Sequence, residues 1–307
     1  MEFVQSPGKD SVLETYLKCV PCLFSQASRA CRQLGLDDDT GWQIIQQFSR
    51  EFADLDMTLP PPVQGSRLYD LISRVTGRVD PYADIKVQST VTAHELLKEC
   101  RHRLVNSSDP VGAALRASAA GNIIDFGADL ALGDLAGAFH EALDSDLAGG
   151  GEAAFRQSLS QLRRNGVLLM IGDNAGETVF DAFLLERIAD ERPDLELVYA
   201  CREKPAINDA VISDCLAAGI ADVAGLISSG SCIPGTWLPF CTPRFQELFR
   251  TADLVISKGQ GNFETLCGED RKIFFLLKVK CPVVSEEIGL PLRVSAFVER
   301  SGRGMAC

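Results

Sequence analysis

Histidine is scarce in this chain of 307 residues: there are three, His94, His102 and His140, and all precede Asn165. A phosphohistidine mechanism or a Ser-His-Asp triad in the second half is thereby disfavoured. Long apolar runs are also missing, since none approaches the ~20 residues that cross a bilayer. Basic residues are in deficit, 30 Lys and Arg against 42 Asp and Glu, giving a net charge of -12. A phosphate backbone or an anionic membrane needs clustered cations, so neither nucleic acid nor membrane is an expected partner. The opening "MEFVQSPGKD" lacks a basic segment followed by an apolar one, and the expected location is the cytoplasm. No strand is followed by GxGxxG, and GxxxxGKS/T, GxSxG and a Cys-x5-Arg loop are absent, which removes dinucleotide folds, P-loops, hydrolase elbows and cysteine phosphatases.

Cysteine, by contrast, is plentiful. Eleven thiols are spread along the chain, several in apolar contexts such as Cys215, Cys267 and Cys281, and they read as buried free thiols. With 46% hydrophobic residues the chain can build a substantial core. From Ser11 to about Gly121 apolar residues recur at spacings of three and four, as in "ETYLKCVPCLFSQASRACRQLGL" and "VTAHELLKEC", with helices broken at "TLPPPV" and "VDPYADIK". This predicts a helical region over residues 1–120. After about Asn165 short apolar runs alternate with amphipathic helices: Val167–Ile171, Leu195–Ala200, Val223–Ile227, Leu254–Ser257 and Ile273–Leu277. Such runs predict strands of a parallel sheet buried on both faces, hence a three-layer, doubly wound α/β/α domain over residues 121–307.

Ligands of open α/β sheets bind beyond the carboxyl ends of the strands, and polar residues collect there. Asp173 and Asn174 follow the first run, Arg202, Lys204, Asn208 and Asp209 the second, Ser228-Ser229-Gly230 the third, and Lys258-Gly259-Gln260-Gly261-Asn262 the fourth. Two carboxylates and an amide, Asp173, Asn174 and Asp209, suit a hard divalent cation such as Mg²⁺ or Mn²⁺. Lys258 supplies a positive charge, and the glycines of "SSG" and "KGQG" admit backbone N–H groups to an anion, which makes Ser229, Gly230 and Asn262 candidate substrate contacts. Each motif alone is equally explained as a helix cap or a turn; their convergence on four strand ends is what favours a site. "DLDMT" at Asp54–Thr58 matches an aspartyl-phosphatase pattern, but "QQFSREFA" before it reads as a helix and not as the required strand. Cys19 and Cys22 lack a second CxxC pair and read as spare thiols of the helical half, away from the strand ends.

Taken together, "GDNAGE", "KPAINDA", "GTWL", "ADLVISKGQGNFETL" and "FFLLKVKCPVV" resemble domain-of-unknown-function family 89, the metal-dependent damage-control phosphatases, with "CVPC", "DPYADIK" and "GNIIDFG" similar to the microbial branch. The resemblance covers nearly the whole chain. It implies hydrolysis of phosphate monoesters, of sugar phosphates or of damaged phosphorylated metabolites, with a divalent cation (Mg, Mn, Co or Ni) at the strand ends. By motif position Asp173, Asn174 and Asp209 would be the ligands, Glu177 would fall near substrate, Lys258 on its phosphate, and Asn122 and Asp125 beside the site. The expected catalytic residues are Asp173, Asp209 and Lys258, with the nucleophile left between a cation-held water and an aspartate. Glu203 replaces a glycine of the family pattern before Lys204-Pro205. A non-catalytic module that holds a phosphorylated ligand, a nucleotide or a metal, with the N-terminal cysteines sensing redox state or zinc, is the competing reading.

Overall fold

The structure is a computed structural model describing residues 12–124 and 132–302, with side chains described from 134 in the second segment. Asp125 therefore lies outside the described residues. Among the described residues seven α-helices precede the first strand: α1 Val20–Gln33, α2 Asp38–Phe52, α3 Pro61–Thr76, α4 Ala83–Val105, α5 Pro110–Ala120, α6 Leu132–Leu143 and α7 Gly151–Gln161. Their punctuation is chemical. Asp37 accepts the Thr40 N–H at the start of α2, Asp109 caps α5, and α3 starts on two prolines and ends at Gly77 in the left-handed region.

Strands and helices then alternate: β1 Val167–Ile171, α8 Thr178–Glu191, β2 Glu196–Cys201, α9 Ile212–Ala217, β3 Gly225–Ser228, α10 Pro243–Thr251, β4 Leu254–Lys258, α11 Gln260–Leu266, β5 Lys272–Lys278, α12 Pro282–Ile288 and β6 Ser295–Ser301. The sheet order is β3-β2-β1-β4-β5-β6, with β6 alone antiparallel. The chain builds outward from β1 in one direction, returns, and builds from β4 in the other. Adjacent β1 and β4 are thus a topological switch point, where the following loops diverge and leave a crevice.

Successive strand residues face opposite sides and both sides are covered. Leu168, Met170, Tyr199 and Ile256 join a core with α4 to α8, while Leu169, Ile171, Ala200 and Val255 join one with α10 to α12. That is why the runs show no polar alternation. The first of these cores also takes Val111, Ala114, Leu115 and Ala117 of α5, which packs on α8, so the apolar interior runs across residue 120. Helices α1 to α3 close a separate cluster around Phe48, Leu68 and Ile72. "QQFSREFA" lies largely in α2, and Asp54 is an exposed turn residue just beyond it, so no strand presents the aspartate of "DLDMT".

Candidate functional site

Three segments meet at the switch point. After β1 the chain turns at Gly172, and Asp173 and Asn174 precede the first turn of α8. After β2 the loop reverses at Ile207, whose φ of 51° is a costly conformation for a β-branched residue. That reversal brings Asn208 and Asp209 back against the tail of β1. Ala175 N–H donates to Asn208 O at 3.0 Å and Ala210 N–H to Asp173 O at 2.8 Å, so Asp209 lies backbone to backbone with Asn174. After β4, Gly259 has φ 82°, and a Cβ there would fall 1.9 Å from Asp173 Oδ2. Glycine is required both by its dihedral and by the carboxylate seated on it.

Behind this front lies a buried polar network. Glu177 accepts from Asn122 Nδ2 at 2.6 Å and from Asn174 Nδ2 at 2.9 Å on one oxygen, and from Lys258 Nζ at 3.1 Å on the other. Lys258 Nζ also donates to Asp181 Oδ1 at 2.7 Å and to Ser118 O at 3.0 Å. Asp181 is further held by Ser118 Oγ and Tyr199 Oη. Arg202 donates from Nε to Asp209 Oδ2 at 2.6 Å, from Nη1 to Thr236 and from Nη2 to Asn262, and lies 3.7 Å from Asp173.

Asp173, Asn174 and Asp209 line a cleft of about 610 Å³ between the strand ends and the helical half. Burial, then the charges of Asp209 and Glu177, push the Asp173 carboxyl well above its usual range. Burial also raises Asp209, against the pull of Arg202. For Glu177 burial is outweighed by Lys258, Lys280 and Asn174, and its carboxyl lies below the usual range. Lys258 is held charged by Asp181 and Glu177 against its own burial.

The three expected ligands are brought together, but the other expected contacts are placed elsewhere. Lys258 is 1% exposed, and its ammonium donates to two carboxylates and a carbonyl, with no position on the cleft wall. Glu177 and Asn122 stand one layer behind Asn174. Asn262 is buried and staples Gly172 O and Lys258 O together. Ser229 O accepts from Thr242 N–H at the start of α10, and Gly230 packs against Thr242; neither reaches the cleft. Glu203 is exposed and accepts from Ser228 Oγ. Cys19 and Cys22, expected away from the strand ends, line the same cleft as Asp173. Arg29, Gln260, Glu264 and Lys280 also line it and were not singled out as site residues by sequence. Lys280 carried a usable signal, because it follows β5 at the same end of the sheet.

A divalent cation fits this donor set by charge. Asp173, Asp209, Glu177 and Asp181 are four buried carboxylates against two buried cations, Arg202 and Lys258. Fully ionised, the four would carry two negative charges more than the two cations, and burial and mutual repulsion disfavour that state at Asp173 until a cation offsets it. Among the described residues no three His, Cys, Asp or Glu are grouped as a cage. Two carboxylates and an amide form a sparser set, of the kind that leaves positions for water and phosphate oxygens.

Residues 15–293 match the family model described as the damage-control phosphatase ARMT1-like domain. The chain is 31% identical over 281 residues, 91% of its length and 96% of the relative's, to a damage-control phosphatase of Pyrococcus horikoshii. It is 26% identical to a damage-control phosphatase of Archaeoglobus fulgidus, covering 89% of this chain and 94% of that one. A crystal structure of a DUF89 family protein from Pyrococcus horikoshii superposes with a TM-score of 0.83 at 29% identity, covering 94% of this chain and 99% of that one. The chain belongs to the damage-control phosphatase ARMT1-like domain family.

Proposed function

We propose that this protein is a divalent-cation-dependent phosphatase that hydrolyses phosphate monoesters of small metabolites, sugar phosphates or damaged phosphometabolites among them. The phosphatase activity named for its relatives supports the reaction class. The observation that carries the cation is the convergence on one cleft of two buried carboxyls, Asp173 and Asp209, and the amide of Asn174, whose full ionisation burial disfavours until a positive charge offsets it.

Asp173, Asn174 and Asp209 would hold the cation. When bound, it supplies Lewis-acid polarisation of a phosphoryl oxygen and offsets the charge that develops there. Arg202 fixes Asp209 with its Nε and stands beside Asp173, so both carboxylates are preset in direction. Glu177 takes the Nδ2 end of Asn174, which supports ligation by the oxygen end of that amide. Lys258 keeps Glu177 anionic and acts on the reaction only through it, as a positioning residue. The substrate's remaining phosphoryl charge has Lys280 on the cleft wall to meet it. With Lys258 buried and absent from the cleft wall, Lys280 is the lysine proposed to bind the phosphate.

The test is a screen of phosphorylated metabolites with Mg²⁺, Mn²⁺, Co²⁺ and Ni²⁺ supplied singly. Phosphate release with at least one pairing, abolished by EDTA, is the expected result. Binding of a phosphate ester without release under every cation would favour a non-catalytic module.

A further inference from the structure

Among the described residues Glu264 is the one buried carboxyl on the cleft wall to which the proposed reaction assigns no role. It is 8% exposed, lies on α11 and lines the same cleft as Asp173 and Asp209. Its position relative to the cation ligands is set by one short helix. Gly259, on which the Asp173 carboxylate rests, caps α11, and Glu264 follows five residues later, about 7.5 Å along the axis.

Its surroundings differ from those of its neighbours. Asp173 and Asp209 have Arg202 within 4 Å, and Glu177 and Asp181 have Lys258. Among the described residues Glu264 has no ion pair; Oε1 accepts from Gln260 Nε2 at 2.8 Å, and Gln260 is itself fixed by accepting from Lys280 N–H at 2.9 Å. A buried carboxylate with no ion-pair partner is costly, so burial favours the neutral, proton-bearing form. Burial raises it to about 7, with Gln260 and the charge of Lys280 opposing. The other titratable groups that sense it are the thiols of Cys19 and Cys281, both raised by burial and neutral near pH 7.

We propose that Glu264 is the general acid of the reaction, donating its proton to the ester oxygen as the alcohol leaves. The inference rests on the phosphatase reading. A water oxygen bonds to phosphorus and the P–O bond to the ester oxygen breaks, its electron pair staying on that oxygen. The Glu264 proton moves to it and the alcohol departs neutral. One proton of the attacking water remains on phosphate; the other passes to solvent, from which Glu264 is reprotonated. An alkoxide needs that proton far more than a nitrophenolate does, and positioned general acids are worth about 10²–10⁴-fold.

The experiment compares Glu264→Gln with the wild-type chain on two substrates in Mn²⁺: an alkyl ester such as glycerol phosphate, and p-nitrophenyl phosphate. Turnover of the alkyl ester is expected to fall about 100-fold or more, while the aryl ester changes by only a few-fold and serves as the folding control. Calorimetric affinity for Mn²⁺ alone is expected to be unchanged. Equal losses on both esters, or no loss on either, would overturn the general-acid role and leave the phosphatase reading standing. No turnover of either ester by the wild-type chain under any cation would overturn both.

Discussion

A lysine at a strand end invites a phosphate, and Lys258 shows how side-chain direction decides otherwise. Leu254 and Ile256 point to the α8 face of the sheet, so the period of two aims Lys258 the same way, toward Ser118 and Asp181. Lys258→Met would strand Glu177 and Asp181 as unneutralised buried carboxylates. The expected cost is about 3–5 kcal/mol in urea unfolding, far beyond that of losing a surface contact. Glu264 makes a prediction of opposite character. Its folded-state value, about 7, lies above the ordinary 4.5 of a glutamic acid side chain. The stability this contributes is fully present below pH 4.5 and is lost as pH rises through 7. Glu264→Gln should therefore flatten the decline in stability between pH 5 and pH 8, by roughly 2–3 kcal/mol, measured by denaturant titration at each pH. An unchanged pH slope would mean that Glu264 titrates as an ordinary exposed carboxyl.

At the scale of elements, what the sequence showed follows from burial. β1, β2, β4 and β5 are covered on both faces and announce themselves as unbroken apolar runs; β3, a half-exposed edge strand, was found two residues early. β6 was missed because "SAFVERS" has a buried centre of three residues and a charged end. Strand-end logic pointed to Asp173 and Asn174, which follow β1 directly, and to Asp209 in the loop after β2. It misassigned Ser229 and Gly230 because β3 lies at the sheet edge, remote from the switch point. The far wall of the cleft was not legible, because helical periodicity shows that α1 has an apolar face but not that its N-terminal thiols look toward β1. Gly259 joins β4 to α11 and supports both the ligand and the proposed acid. Gly259→Ala would force Asp173 aside, and the expected outcome is a loss of Mn²⁺ affinity of at least about tenfold, read by calorimetry, with destabilisation above about 1 kcal/mol from the positive φ alone. Wild-type affinity in that variant would mean that Asp173 does not hold the cation.

Across the whole molecule, two independently packed parts close on one cleft: the sheet with its covering helices, and the cluster of α1 to α3. A cation at the cleft floor stabilises the folded chain by mass action, about 2.7 kcal/mol at a hundred times its dissociation constant, so the melting temperature should rise with Mn²⁺ and fall after chelation. Asp209→Asn should lose most of that rise. The measurement that bears most directly on the account is phosphate release from p-nitrophenyl phosphate and from a sugar phosphate after exhaustive chelation, followed by titration with Mn²⁺. The account predicts no turnover in the chelated protein, recovery at one cation per chain in the wild type, and a requirement for at least about tenfold more Mn²⁺ in Asp209→Asn. Full turnover in the chelated wild-type chain, or an Asp209→Asn titration superimposable on it, would contradict the account.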